Sequence, residues 1–298
     1  MNPDKLEIPD ELRQAQREGK LVIFAGAGVS VNPPSYIPLK EQLCNEISEM
    51  LSKTDRTYRR RKNQEPEDYY QELRRREQRI SEIYFFALRR SCANSSPNHL
   101  HRDIARLFNS LTDVKIVTIN HDEHLTEACR TVFNEWPHQQ LLIHHSYHSP
   151  TLAQYSGIMY LHGCLSQPPE HLVFDRRTEE AAYLYETMGI KLFLKNLLLR
   201  YTFVFLGCSF KDDKLVKYIE YLVETKELTK SNYIFIIESE VTTSLEQRLR
   251  KCLITPVLFK EYQVLADCLK EWADTSTKAD PPQLWHPNTS LPNRSKTR

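Results

Sequence analysis

Four short polar clusters in this sequence combine glycines, which let a backbone approach a phosphate, with side chains that exchange protons or hydrogen-bond a sugar. They are Gly26-Ala27-Gly28-Val29-Ser30, Thr118-Ile119-Asn120-His121-Asp122, His162-Gly163 and Gly207-Cys208-Ser209-Phe210-Lys211-Asp212. The first holds two of the chain's seven glycines in one turn. Such a turn bends tightly and brings main-chain amides and a helix start up to a pyrophosphate. In the second, Asn120 can bond a ribose hydroxyl or position a water through its amide, and Asp122 can stabilise developing positive charge or orient a partner. His162, with an ordinary pKa of about 6.5, can accept a proton near neutrality. Each residue also has a structural role open to it. Asn120 and Asp122 suit the cap of a helix starting near Glu123, and Ser209 with Asp212 suit another N-cap. His162 can bond backbone at a strand end, and the glycines can simply close a strand–helix corner.

The elements that would position these clusters are legible from apolar periodicity. Short apolar runs at 21–25, 114–118, 157–161, 202–206, 233–237 and 253–259 read as strands. Several are continuously apolar, as strands covered on both faces are. Helical spacing appears at 39–51, 99–111, 123–133 and 212–224. Alternating strands and helices predict an α/β fold with a doubly wound, mainly parallel, Rossmann-like sheet. Each polar cluster then falls just past the carboxyl end of a strand, the edge where such sheets bind ligands. Residues 52–93 are charged, rich in Arg, Glu and Tyr, and lack a strand signal. They are expected to form an inserted helical lobe of two or three helices, a common wall for a ligand cleft. One domain over 1–275 is expected, with a disordered tail at 276–298, where Pro281, Pro282, Pro287 and Pro292 stand among few apolar residues.

Composition narrows the function classes. The 298 residues carry 40 basic and 39 acidic side chains, a formal net charge of +1, so nucleic-acid binding is not indicated. The basic runs 59–62 and 74–76 alternate with acids and read as solvated helical faces. No run reaches the roughly 20 apolar residues of a membrane helix, and residues 1–17 lack the apolar core of a secretory signal. No membrane association and a cytoplasmic location are therefore expected. Seven scattered cysteines without any C-x-x-C pair argue against a disulfide framework and against a zinc module built from two such pairs. His138, His144, His145 and His148 read as a polar loop rather than a metal site, and His121 with His124 lack a third ligand, so no metal is assigned. The glycine turn departs from the dinucleotide fingerprint G-x-G-x-x-G/A at Val31. No strand ending in an acidic residue follows at the usual distance, which disfavours an ordinary dehydrogenase.

In their order, and each behind a strand, the four clusters resemble the motifs of the SIR2 family: G-A-G-x-S, T-x-N-x-D, a strand-end H-G and G-x-S-x-x-D, covering about Leu21 to Asp213. The likeness is to the SIR2-like domains of bacterial anti-phage NADases in particular. It implies NAD as substrate, with Gly26, Ala27, Gly28 and Ser30 at the phosphates and adjoining ribose. Asn32 would open a variable loop, 31–38, over the cofactor, with Thr118 beside it. Asn120 and Asp122 would face the nicotinamide ribose, His162 would be the catalytic histidine, and Gly207, Ser209 and Asp212 would meet the adenosine half. His101 lies where such relatives often carry a histidine. Two departures separate the chain from the sirtuin deacylases: it lacks their four-cysteine zinc module, and Ile119 stands where they usually have Gln.

The resemblance therefore implies an NAD glycohydrolase that releases nicotinamide and ADP-ribose, acting as an effector in anti-phage defence. The alternative is a non-catalytic module that binds NAD or ADP-ribose and assembles with a partner protein in trans. Homo-oligomerisation is implied by the same likeness. The chemistry asked of the site is modest. Cleavage of the nicotinamide–ribose bond passes through an oxocarbenium-like transition state, as in glycoside hydrolysis, but its leaving group already carries positive charge and needs no general acid.

Overall fold

The computed structural model describes residues 6–134, 140–145, 155–183, 189–210 and 213–276. Asp212, His138, His148 and the expected tail beyond Ser276 lie outside the described residues. In chain order the elements are α1 (Asp10–Arg17), β1 (Leu21–Ala25), α2 (Lys40–Ser52), α3 (Pro66–Arg76), α4 (Ile80–Cys92), α5 (His99–Arg106), β2 (Lys115–Thr118), α6 (His124–Val132), β3 (Ile143–His145), β4 (Gly157–Tyr160), α7 (Arg176–Ala182), α8 (Ile190–Arg200), β5 (Thr202–Leu206), α9 (Asp213–Glu224), β6 (Asn232–Ile237), α10 (Thr243–Lys251), β7 (Ile254–Phe259) and α11 (Tyr262–Ser276).

The strands form one parallel sheet in the order β3-β4-β2-β1-β5-β6-β7. The chain winds outward from β1 in both directions, so the strand order reverses at β1, the position where α/β sheets open a crevice. All six expected strands are present, four of them shifted by one residue at one end. A seventh, β3, is added at the edge: three residues, two of them histidine, give too little apolar signal to be read. The helix expected over 99–111 stops at Arg106. Its continuing apolar spacing comes from Leu107, Phe108 and Leu111, which are buried in the turn that follows.

Alternation along the strands builds two cores. Leu21, Ile23, Ile116, Ile158, Val204 and Leu206 face one side with α5, α6 and α11. Val22, Phe24, Val117, Met159, Phe203 and Phe205 face the other with α8 and α9. A third cluster joins α2, α3 and α4 around Tyr70, Leu73, Tyr84 and Leu88. Leu172 and Phe174, from the segment after β4, enter this cluster, and Tyr84 stacks on Phe174 at 4.2 Å. The Arg74 guanidinium sits over the same ring and pairs with Asp175. The helices of the lobe are thereby tied to the chain that leaves His162.

Register fixes the working edge. Ala25 pairs with both Thr118 and Leu206, and Thr118 pairs with Tyr160. The carboxyl ends of β4, β2, β1 and β5 are level, so the residues that follow them meet in one row.

Candidate active site

The glycine turns after β1 and β5 interlock. The Gly26 amide donates to Leu206 O and the Gly28 amide to Gly207 O, both at 2.9 Å. A Cβ on Gly26 would meet Gly207 O at 2.6 Å, and one on Gly28 would meet Gly207 Cα at 2.8 Å. Gly207 itself has φ +64°, and its Cβ would fall 2.5 Å from Val29 N. No side chain fits at any of the three, which explains why this fold places scarce glycines here. Ala27 and Ser209 are exposed beside this contact, while Asn32 and Gly207 are half-buried.

Beneath the turn lies a buried hydrogen-bonded chain. Asn98 caps α5, its Oδ1 accepting from His101 N while its own amide donates to His101 Nδ1, both at 3.1 Å. Since Nδ1 accepts, the proton of the neutral ring is on Nε2, which donates to Ser30 Oγ at 3.0 Å. The Ser30 hydroxyl then donates to Asp122 Oδ2 at 3.0 Å, and Asp122 Oδ1 accepts the His124 amide at 3.2 Å. Burial pushes His101 down to about 3 and raises the Asp122 carboxyl. Asn98 Nδ2 also donates to Val29 O at 2.8 Å and Asn32 O at 3.3 Å, fastening the loop that leaves the glycine turn.

These bonds show how three of the residues expected at the site sit in the structure. Ser30 and Thr118, expected at the cofactor, are fully buried with their hydroxyls used inside the protein. Thr118 Oγ1 donates to Ala25 O and accepts the Asn120 amide, so it shapes the strand end. Asp122 is 5% exposed and both carboxylate oxygens are engaged, so it orients its neighbours and caps α6. Spacing placed these residues in the right neighbourhood without revealing which way each side chain turns.

Three other residues keep an unused lone pair. Asn120 Nδ2 donates to Gly26 O at 3.1 Å and approaches Ser30 Oγ at 3.4 Å, which aims its Oδ1 the other way. His121 Nδ1 donates to Gly163 O at 3.1 Å, leaving Nε2 as the acceptor of a neutral ring. His162 Nε2 lies 3.4 Å from the Tyr183 hydroxyl, and Nδ1 has no partner among the described residues. The sealed and unpartnered side-chain polar atoms among the described residues are Tyr70 Oη and Asn232 Nδ2. Asn120 Oδ1, His121 Nε2 and His162 Nδ1 make no hydrogen bond to a described residue. His121 and His162 are both pushed down to about 3, chiefly by burial, with a smaller contribution from His162 at His121 and from Lys40 at His162. Both rings are neutral acceptors at physiological pH.

The lobe closes this side of the site. Tyr84 meets the His121 ring edge-on at 5.6 Å. Lys40 Nζ pairs with Glu67 of α3 at 2.5 Å and Glu179 of α7 at 3.2 Å; burial lowers its pKa, but the two carboxylates together outweigh it and leave the pKa raised. Tyr84, Lys40, Glu179 and Tyr183 carry no local motif, so nothing in the sequence marks them. A cavity of about 150 Å³ in the lobe, lined by Tyr58, Arg59, Arg61, Gln64 and Arg76 among others, shares no residue with this row. Among the described residues no group of three or more His, Cys, Asp or Glu is arranged to hold a metal ion.

A row of neutral acceptors beside the interlocked glycine turns suits a ligand rich in hydroxyl and amide donors. A family profile described as SIR2-like domain matches residues 114–263. A solved SIR2 homolog in complex with NAD superposes with a TM-score of 0.50 and 16% identity, covering 92% of this chain and 96% of that one. At that identity the likeness speaks to the fold alone. No curated protein matches the chain.

Proposed function

Because the chain belongs to the SIR2-like domain family, we propose that it binds NAD at this edge and hydrolyses the nicotinamide–ribose bond, giving nicotinamide and ADP-ribose. The observation that carries the reading is the pair of outward lone pairs, Asn120 Oδ1 and His162 Nδ1, beside the interlocked glycines. Gly26, Ala27, Gly28 and Gly207 would receive the phosphates, with Asn32 and Ser209 at the sugars. The glycines let the two turns pack backbone to backbone, which brings the main chain of both to the same strand edge. Asp212 is proposed for the adenosine half on motif grounds alone.

NAD supplies a glycosidic bond whose nicotinamide leaves as a neutral base, so no residue here needs to act as an acid. Asn120 Oδ1 accepts from a ribose hydroxyl or from the attacking water and fixes its direction. His162, neutral and buried, accepts the proton that the water or hydroxyl loses and returns it to solvent. Asp122, through Ser30 and the start of α6, holds the 118–124 turn in place. The lobe and the 172–183 segment restrict bulk water at this end of the site, which favours a polarised site over a solvated one.

The resemblance to anti-phage NADases extends the proposal to an effector role in defence and to assembly as a homo-oligomer. Light scattering that finds only monomer at every concentration counts against the assembly. The chemical test is nicotinamide release from NAD by wild type, Asn120→Ala and His162→Ala. Activity in the wild type with large losses in both variants supports catalysis. Tight NAD binding without release, measured by calorimetry, would instead favour a binding module that works with a partner.

A further inference from the structure

His121 occupies the variable middle position of the Asn120–Asp122 turn and has no part in the mechanism above, yet its chemistry is unusually well defined. A carbonyl only accepts, so the 3.1 Å contact to Gly163 O places the ring proton on Nδ1 and the lone pair on Nε2. The ring is held on two sides, and the backbone that carries it is fixed as well. Gly163 O anchors one nitrogen, Tyr84 meets it edge-on at 5.6 Å, and the His121 carbonyl accepts the Leu165 amide at 3.0 Å. These contacts tie His121 to the residues directly following His162. Its Nε2 makes no hydrogen bond to a described residue, while the His162 backbone carbonyl, like that of Gly163, favours the protonated ring. The two rings lie close enough that a charge on His162 is felt at His121.

We propose that His121 is a further substrate-binding residue, its Nε2 accepting a hydrogen bond from a hydroxyl of the ribose at the scissile bond while Asn120 and His162 serve the reaction. The assignment rests on the NAD-cleaving reading and deepens it. Two neighbouring sugar hydroxyls are donors, and the edge offers neutral acceptors to match them: one at His121 and one at His162. A ring held neutral donates nothing through Nε2, so a group that only accepts, such as a phosphate oxygen, gains nothing there.

The test compares wild type with two variants that spare different parts of the local structure. His121→Asn retains a donor for Gly163 O and lacks the outer acceptor. His121→Phe retains the ring against Tyr84 and lacks both nitrogens. Each is assayed with NAD and with analogues lacking the 2′- or the 3′-hydroxyl of the nicotinamide ribose. One neutral hydrogen bond corresponds to about fivefold to tenfold in affinity. Both variants should therefore raise KM for NAD by about that factor with kcat changed less, and the difference from wild type should vanish on one of the two deoxy analogues. A penalty that persists on both analogues, or no penalty on NAD, overturns the assignment.

A readout independent of turnover keeps the two readings apart. In ¹⁵N-histidine-labelled protein, NAD should shift the His121 Nε2 resonance, and His121→Asn should lower NAD affinity in calorimetry. If the wild type binds NAD without releasing nicotinamide, the hydrolase reading fails while these measurements still decide His121. If NAD binds, the Nε2 resonance stays put and His121→Asn binds as wild type does, the His121 proposal fails alone.

Discussion

Acidification should loosen this protein from its active site outward. His101, His121 and His162 are each pushed down to about 3, chiefly by burial. In the unfolded chain the same residues titrate near 6.5. A folded pKa below the unfolded one contributes stability that is present above pH 6.5 and is lost as pH falls toward 3. Between pH 7 and pH 5 the unfolded chain gains nearly one proton per histidine that the folded chain refuses. Integrated over that window the loss is about 2 kcal/mol per histidine, up to about 6 kcal/mol for three. Asp103 and Asp122, whose carboxyls burial raises, offset part of it. The remainder is a large fraction of a typical domain stability of about 5–15 kcal/mol. Urea unfolding at pH 7 and pH 5 measures the difference directly. His101 is fully buried, and His101→Asn should reduce the pH-dependent loss by about 2 kcal/mol. A wild-type stability that changes by less than about 1 kcal/mol across the window, or a variant with the wild-type slope, would refute the reasoning.

Other perturbations separate support from chemistry. Gly207→Ala places a methyl 2.5 Å from Val29 N at φ +64°, so it should cost at least about 1 kcal/mol by thermal unfolding and weaken NAD binding in calorimetry more than kcat. Arg74→Ala leaves Asp175 buried without its guanidinium; a loss of about 3 kcal/mol in urea unfolding is expected, largely relieved in the Arg74→Ala, Asp175→Asn double variant. Since His162 is already neutral well below pH 6.5, kcat/KM for nicotinamide release should stay level from pH 8 to pH 5.5 rather than fall near 6.5. A fall centred near 6.5 in folded protein would show that His162 titrates normally.

Much of this architecture was written in local pattern. Continuous apolar runs announced six strands because both faces of the sheet are covered, and the polar clusters behind them marked the working edge. The scarcity of glycine marked the turn after β1, but nothing local showed that it interlocks with the turn after β5. What pattern misses is direction and distance. Ser30, Thr118 and Asp122 sit in the right motifs but spend their polar atoms inward, because a level strand edge turns alternate residues down into the fold. Lys40, Tyr84, Glu179 and Tyr183 reach the site from three helices, α2, α4 and α7, across tens to more than a hundred residues, and no local spacing encodes that meeting. His144 and His145 form part of β3, whose three residues were too few to show a period.

The central claim is that Asn120 and His162 direct water to the nicotinamide–ribose bond. Its most direct test is mass spectrometry of the products formed from NAD in ¹⁸O-enriched water, with His162→Ala and Asn120→Ala as controls. The account predicts equimolar nicotinamide and ADP-ribose carrying one ¹⁸O from the wild type, with both products strongly reduced in each variant. Intact NAD after incubation with the wild type at every protein concentration, or products unchanged in His162→Ala, would contradict it.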